Sequence, residues 1–170
     1  MTETMPNQVS ELHPQVAKNL EQSGIIHKVF SCDPELADTA RFCEHYGFST
    51  GASANAIIAA SKAEPVKFAC CIVLATCKLD VNKKVSALMG TKKVSFASAE
   101  QTLELTGMQI GGVTPFGLPA AIPIYIDTLV MGQEEVIMGG GNRSTKVFLN
   151  PHELQKLPGA EVIDGLGILK

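Results

Sequence analysis

The run KFACCIVLAT, residues 67–76, decides the fold. It is almost unbroken in its apolar character, too short for a typical helix and rich in residues that suit a pleated backbone. A run without polar alternation reads as a strand buried on both faces, at the centre of a sheet flanked by helices. Its two adjacent cysteines, Cys70 and Cys71, then point to opposite faces and cannot hold one ion together.

The flanking sequence supplies the other layers. On the N-terminal side, Leu12, Val16 and Leu20 fall four apart on one helix face, with Ser10 as the cap and Gly24 at the end. IIHKVF (25–30) reads as a strand. Asp33-Pro34-Glu35 has the order of a helix start, and that helix runs through Tyr46 to Gly47. Residues 48–65 are small and weakly patterned, with Ile57 and Ile58 in a short strand.

On the C-terminal side, Asp80 caps a helix carrying Val81, Val85, Leu88 and Met89 up to Gly90. VSFA (94–97) is a strand, and Ser98 with Gln101 forms a capping box for a helix ending at Gly107. IPIYID (122–127), EVIMG (135–139) and TKVFL (145–149) are strand-like, and their short turns favour antiparallel pairing. Asn150-Pro151-His152-Glu153 opens a short helix, and EVID (161–164) is a last strand. Residues 1–170 thus read as one α/β domain with a mixed sheet and flanking helices, without linker or repeat.

Composition narrows the function. With 170 residues, 45% hydrophobic and 18% charged, the chain has the profile of a soluble globule. A net charge of −3 argues against a grip on long nucleic acid, which needs many Lys/Arg–phosphate contacts, but leaves room for a local basic patch. No basic leader precedes an apolar stretch, and no apolar run reaches the roughly 18 residues of a membrane span. A cytoplasmic location and no membrane partner are the expectation. The five cysteines, Cys32, Cys43, Cys70, Cys71 and Cys77, lack CxxC spacing and read as small buried hydrophobes, without a metal site.

Three features could carry chemistry. In Gly111-Gly112-Val113-Thr114-Pro115-Phe116-Gly117, glycines admit close approach of a ligand and proline fixes the loop. Such a loop can present main-chain N–H groups to a carbonyl or phosphate, or serve simply as a rigid connector. Gly139-Gly140-Gly141-Asn142-Arg143-Ser144 fails the dinucleotide and P-loop patterns and reads as a turn between strands, with Arg143 either an anion contact or a surface residue. Lys78, Lys83, Lys84, Lys92 and Lys93 set five positive charges against the single acid Asp80 within residues 78–93. Such a cluster faces phosphates or is the solvated side of a helix.

The ordered series Leu79-Asp80 with Lys83, the SFAS junction with Glu100, Leu105-Thr106-Gly107, GGVTPFG, Ile126-Asp127, GGGNRS and Asn150-Pro151 through Gly159 resembles the YbaK/EbsC family, over about residues 25–165. That family includes free-standing relatives of the prolyl-tRNA synthetase editing domain. The resemblance implies a mixed α/β fold and a trans-editing deacylase that hydrolyses the ester of a mischarged tRNA. It implies no cofactor and, as partner, the aminoacylated 3′ end of tRNA; oligomeric state, a homodimer included, stays open.

By the same resemblance, the GxxxP loop from Gly111 through Gly112, Val113 and Thr114 to Pro115 holds the aminoacyl ester. Phe116, Gly117, Gly139, Gly140, Gly141 and Arg143 contact substrate, and the serine that often accompanies the glycine turn is absent. The family's lysine slot holds Asn55, which removes a full positive charge. Lys62 and Lys67 are near in sequence but outside that slot. Asn55 would hold the adenosine or phosphate side. The alternative is a weak or inactive member that binds tRNA or an aminoacyl-adenosine-like ligand without cutting it; a small-molecule esterase indifferent to tRNA is a third reading. The amino acid and tRNA are not legible in the sequence.

Overall fold

A computed structural model describes the backbone of residues 2–4 and all of residues 11–170. Its strands form two mixed sheets and one short ribbon. The five-stranded sheet has the order β10 (Ala160–Ile163), β7 (Ile124–Asp127), β4 (Phe68–Leu74), β3 (Ala54–Ser61), β6 (Val94–Phe96). The four-stranded sheet has the order β1 (Thr2–Thr4), β2 (His27–Ser31), β9 (Thr145–Leu149), β8 (Val136–Gly139). The ribbon pairs β5 (Cys77–Leu79) with β11 (Gly167–Leu169).

The apolar run at 67–76 does occupy the sheet centre as β4, where Ala69, Cys70, Cys71, Ile72 and Val73 are fully buried. It pairs antiparallel with β3 and parallel with β7. The antiparallel expectation holds for β8 with β9 but fails for 122–127, because β7 lies between β4 and β10 and is parallel to both. Long crossovers, including α4 (Ala99–Thr106) and the glycine–proline loop, lie between β4 and β7 and permit that direction.

The helices start and stop where local chemistry dictates. The first, α1 (Pro14–Gln22), begins at a proline and is capped by the His13 ring, whose Nδ1 accepts from the Gln15 N–H at 3.2 Å. Leu12 therefore precedes the helix; Ser10, the expected cap, lies outside the described residues. The single helix expected from Asp33 to Tyr46 is divided, because extended backbone at Asp38 separates a 3-10 turn at Pro34–Leu36 from α2 (Thr39–Tyr46). Gly47, at φ 80°, ends α2. Asp80 does cap residues 81–90, but the first turn (Val81–Val85) is a π-helix before α3 (Ser86–Met89). The capping box of α4 is formed, with Ser98 Oγ accepting from the Gln101 N–H at 3.0 Å.

Residues 54–61, weakly patterned as sequence, form an eight-residue strand. Its small side chains suit a position between β4 and β6 rather than marking a loop. A short helix, α5 (Thr128–Met131), also follows β7. Two apolar clusters fill the molecule, a main core around β3, β4 and β7, and a second containing Phe42, Cys43, Ile137 and Phe148. Phe30, Phe42, Tyr46, Phe48 and Phe148 stack or meet edge-on in that second cluster, at 4.9–5.7 Å between centroids. The seam between the sheets, where Ser53 bridges to Ile137, is where the cavity opens.

Candidate functional site

A cavity of about 320 Å³ lies on that seam, a size that takes a small molecule. The start of β3 (Ala54 to Ile58), the end of β8 (Ile137 to Gly139) and Lys146 of β9 form its floor and one side. Asp38, Thr39 and Phe42 of the α2 segment form another wall, and Ile110, Gly111 and Val113 form a third. Phe96, Ala97 and Thr102 stand at the β6–α4 side.

Asn55 and the glycine–proline loop thus share one cleft. Gly111, Val113 and Gly139 line it, whereas Gly112, Thr114, Pro115, Phe116, Gly117, Gly140, Gly141 and Arg143 do not. Phe116 and Thr114 are fully buried behind the loop and support it from within. Arg143 clamps the site from outside: Nη1 donates to the Ile110 carbonyl at 2.6 Å and pairs with Asp38 at 3.3 Å, while Nε donates to the Pro34 carbonyl at 3.1 Å.

The two glycine segments are explained by each other. A Cβ on Gly112 would stand 2.2 Å from the Asn142 carbonyl oxygen, and one on Gly139 would stand 2.6 Å from the carbonyl oxygens of Gly112 and Val113. The Gly141 N–H donates to the Gly112 carbonyl at 2.7 Å. Loop and turn therefore pack backbone against backbone, at a separation no side chain allows.

That packing leaves donors free. The Gly112 N–H donates to the Gln109 carbonyl, but the N–H groups of Gly111 and Val113 have no acceptor among the described residues. Asn55 Oδ1 accepts from the Thr39 hydroxyl at 2.8 Å, and its Nδ2 likewise has no acceptor among the described residues. None of the four histidines lines the cavity, and the Ser53 hydroxyl is engaged with the Ser49 carbonyl and the Cys43 thiol.

Lys146 is the functional candidate that sequence reasoning missed. Only 5% exposed, its ammonium donates to the Ala37 carbonyl at 2.6 Å and the Gly111 carbonyl at 3.0 Å, and stands 5.4 Å from the centre of the Phe42 ring. It forms no ion pair within 4 Å among the described residues. Burial pushes its pKa below the ordinary lysine value, against the opposing pull of Cys32. Gly139 is its cross-strand partner, so the bare glycine leaves room for the loop on which the lysine acts. The available signal was a cation inside TKVFL, a segment whose five residues are all buried. Lys62 and Lys67, by contrast, are exposed at the far end of β3 and do not line the cavity.

The cysteines offer no nucleophile. All five are buried; burial drives the Cys70 thiol well above its usual range and pushes Cys71 up to about 12. Among the described residues, no three metal-ligating side chains converge, and no helix is long and apolar enough to cross a membrane.

The chain resembles several known proteins. Residues 33–157 match the aminoacyl-tRNA editing domain. The uncharacterized protein YwhH of Bacillus subtilis (strain 168) is 35% identical over 85 residues, about half of each chain (50% of this one and 53% of YwhH). A crystal structure named as a candidate trans-editing enzyme for prolyl tRNA synthetase is 27% identical, with a TM-score of 0.74 over 91% of this chain and 98% of that one. The hypothetical protein APE2540 shares the fold at 23% identity, with a TM-score of 0.80 over 91% of this chain and 99% of that one. The chain therefore belongs to the aminoacyl-tRNA editing domain family.

Proposed function

We propose that this protein is a trans-editing aminoacyl-tRNA deacylase, cutting the ester between a mischarged amino acid and the 3′-terminal adenosine of tRNA. One observation carries the reading: the cavity gathers unpaired donors, the Gly111 and Val113 amides and Asn55 Nδ2, beside the buried ammonium of Lys146, but no activated nucleophile. An aminoacyl ester is already labile, so orientation of its carbonyl and stabilisation of the developing oxyanion suffice. Water adds to the carbonyl carbon, the ester C–O bond breaks, and the ribose oxygen takes the proton as the amino acid leaves. A terminal ribose hydroxyl or the attacking water itself relays that proton.

Lys146 answers the absence of a lysine at position 55. On this reading the positive charge enters from β9 into the cavity that Asn55 also lines, and holds the Gly111 carbonyl so that the following amides keep their aim. Asp38, at the cavity wall and 55% exposed in its side chain, offers a carboxylate to the α-ammonium group of the aminoacyl moiety.

Purified protein is incubated with a panel of mischarged tRNAs. Release of at least one amino acid well above its spontaneous rate is expected. If every charge is spared while the tRNA still binds, the protein is a binding module and the deacylase reading fails.

A further inference from the structure

We propose that the edge strand β6 and the lysines at its N-terminal end form the track by which an unpaired RNA 3′ end reaches the cavity, with Phe96 as the platform for its terminal base. This rests on the reading of aminoacyl-tRNA as substrate, and it names the surface that receives it.

Phe96 ends β6 at the cavity wall, yet it is 58% exposed. Beside the same opening, Ile110 is 51% exposed, so the rim presents an aromatic face and an aliphatic one to solvent. A nucleobase stacks on such an aromatic whatever its sequence.

Strand register fixes what lies beyond. Phe96 faces Ala59, and Val94 faces Ser61, so β6 runs from the mouth toward the end of β3. There the Lys62 N–H donates to the Lys93 carbonyl at 3.0 Å, and the Ser61 N–H donates to the Lys67 carbonyl at 2.9 Å. Lys62, Lys67, Lys92 and Lys93 are all exposed at this end, and none forms an ion pair among the described residues. Glu64 is the acid within their loop, and Glu100 sits on the first turn of α4.

The dimensions suit a short single strand. From Phe96 to Lys93 is three residues, about 10 Å of strand at roughly 3.3 Å per residue. A stacked nucleic acid strand advances about 3.4 Å per nucleotide, so about three nucleotides separate the platform from the charges. A local cationic patch on a chain of net charge −3 matches an RNA terminus better than a long duplex.

The test uses the full chain and a labelled, uncharged RNA minihelix, either blunt or ending in a four-nucleotide 3′ overhang, across a salt series. The overhang should bind at least tenfold more tightly than the blunt form. Phe96→Ala should weaken overhang binding about tenfold with little change in salt slope. The double variant Lys62→Gln, Lys93→Gln should flatten the slope of log K against log salt by about 1.4, two single-strand phosphate contacts. It should also leave hydrolysis of a small aminoacyl-adenosine ester unchanged. Equal binding of blunt and overhang forms, or an unchanged salt slope, overturns the track. Binding decides this even if no deacylation is found, which would sink the enzymatic reading alone. Conversely, deacylation of tRNA with an unaltered KM in the lysine variant would sink the track alone.

Discussion

Lys146→Met keeps much of the side chain's length and removes its charge, which separates catalysis from folding. On the proposed reading the lysine holds the loop whose amides meet the oxyanion, and losing the aim of one such donor lowers kcat by about 10²–10³. Stability should change far less, because replacing a buried charge with an apolar group is often neutral. The Ala37 and Gly111 carbonyls do lose their donor, at about 1 kcal/mol each. Steady-state deacylation beside a urea melt checks both halves. Burial lowers the pKa of Lys146, and Cys32, Cys43, Asp38 and Arg143 are the charged or titratable groups acting on it. After subtraction of spontaneous hydrolysis, the wild-type rate should therefore fall with rising pH before the ordinary lysine value of 10.5, and the methionine variant should lack that limb. Asn55→Ala should cost about tenfold or more in kcat, since it removes a cavity donor and leaves the Thr39 hydroxyl without its acceptor.

At the scale of elements, the contact between loop and turn is the part most sensitive to a single atom. Gly139→Ala places a methyl group 2.6 Å from two backbone oxygens, which cannot rotate away. The β8 end must part from the 111–113 loop, at about 1–3 kcal/mol, the usual range for overpacking. Activity should fall further than stability, because the displaced amides are the proposed donors. Thermal melting and single-turnover deacylation would show the two effects together. Neither glycine motif discloses this from sequence, because one reads as a proline-fixed loop and the other as a turn between strands until the two are seen together. The central strand β4 and the capping box of α4 were legible because an apolar run and a cap are local, whereas the full extent of β3 and the break at Asp38 were not. The direction of β7 was not, since the parallel arrangement depends on a partner some fifty residues away in β4. Likewise the cavity could be suspected at Gly111–Pro115, but Lys146 belongs to it only because β9 crosses behind the loop.

The molecule as a whole joins its ribbon to its main sheet over one buried carboxylate. Asp127, at the end of β7, is fully buried, and Gly167 of β11 lies so close that a Cβ there would stand 2.7 Å from Asp127 Oδ2. Burial raises the Asp127 pKa, outweighing the opposite pull of the Gly167, Thr128 and Leu166 amides, none of which closes a well-formed hydrogen bond to the carboxylate. A raised folded-state pKa means that the folded protein holds its proton more tightly than the unfolded chain. The stability this gives is fully present below the unfolded carboxylate value, and it is lost as pH rises through the folded one. Asp127→Asn abolishes that dependence while keeping shape and the capacity to accept from the same amides. Relative to wild type, the variant should match or lag in strong acid and gain steadily as pH rises from about 4, levelling off once Asp127 is ionised in the fold. Urea melts from pH 3.5 to 7.5 would measure the difference. A difference flat across that range would mean that Asp127 titrates alike in the folded and unfolded chain, whereas a variant that loses ground as pH rises would mean that those amides hold Asp127 ionised and that the ribbon is pinned by hydrogen bonds rather than strained by a buried charge.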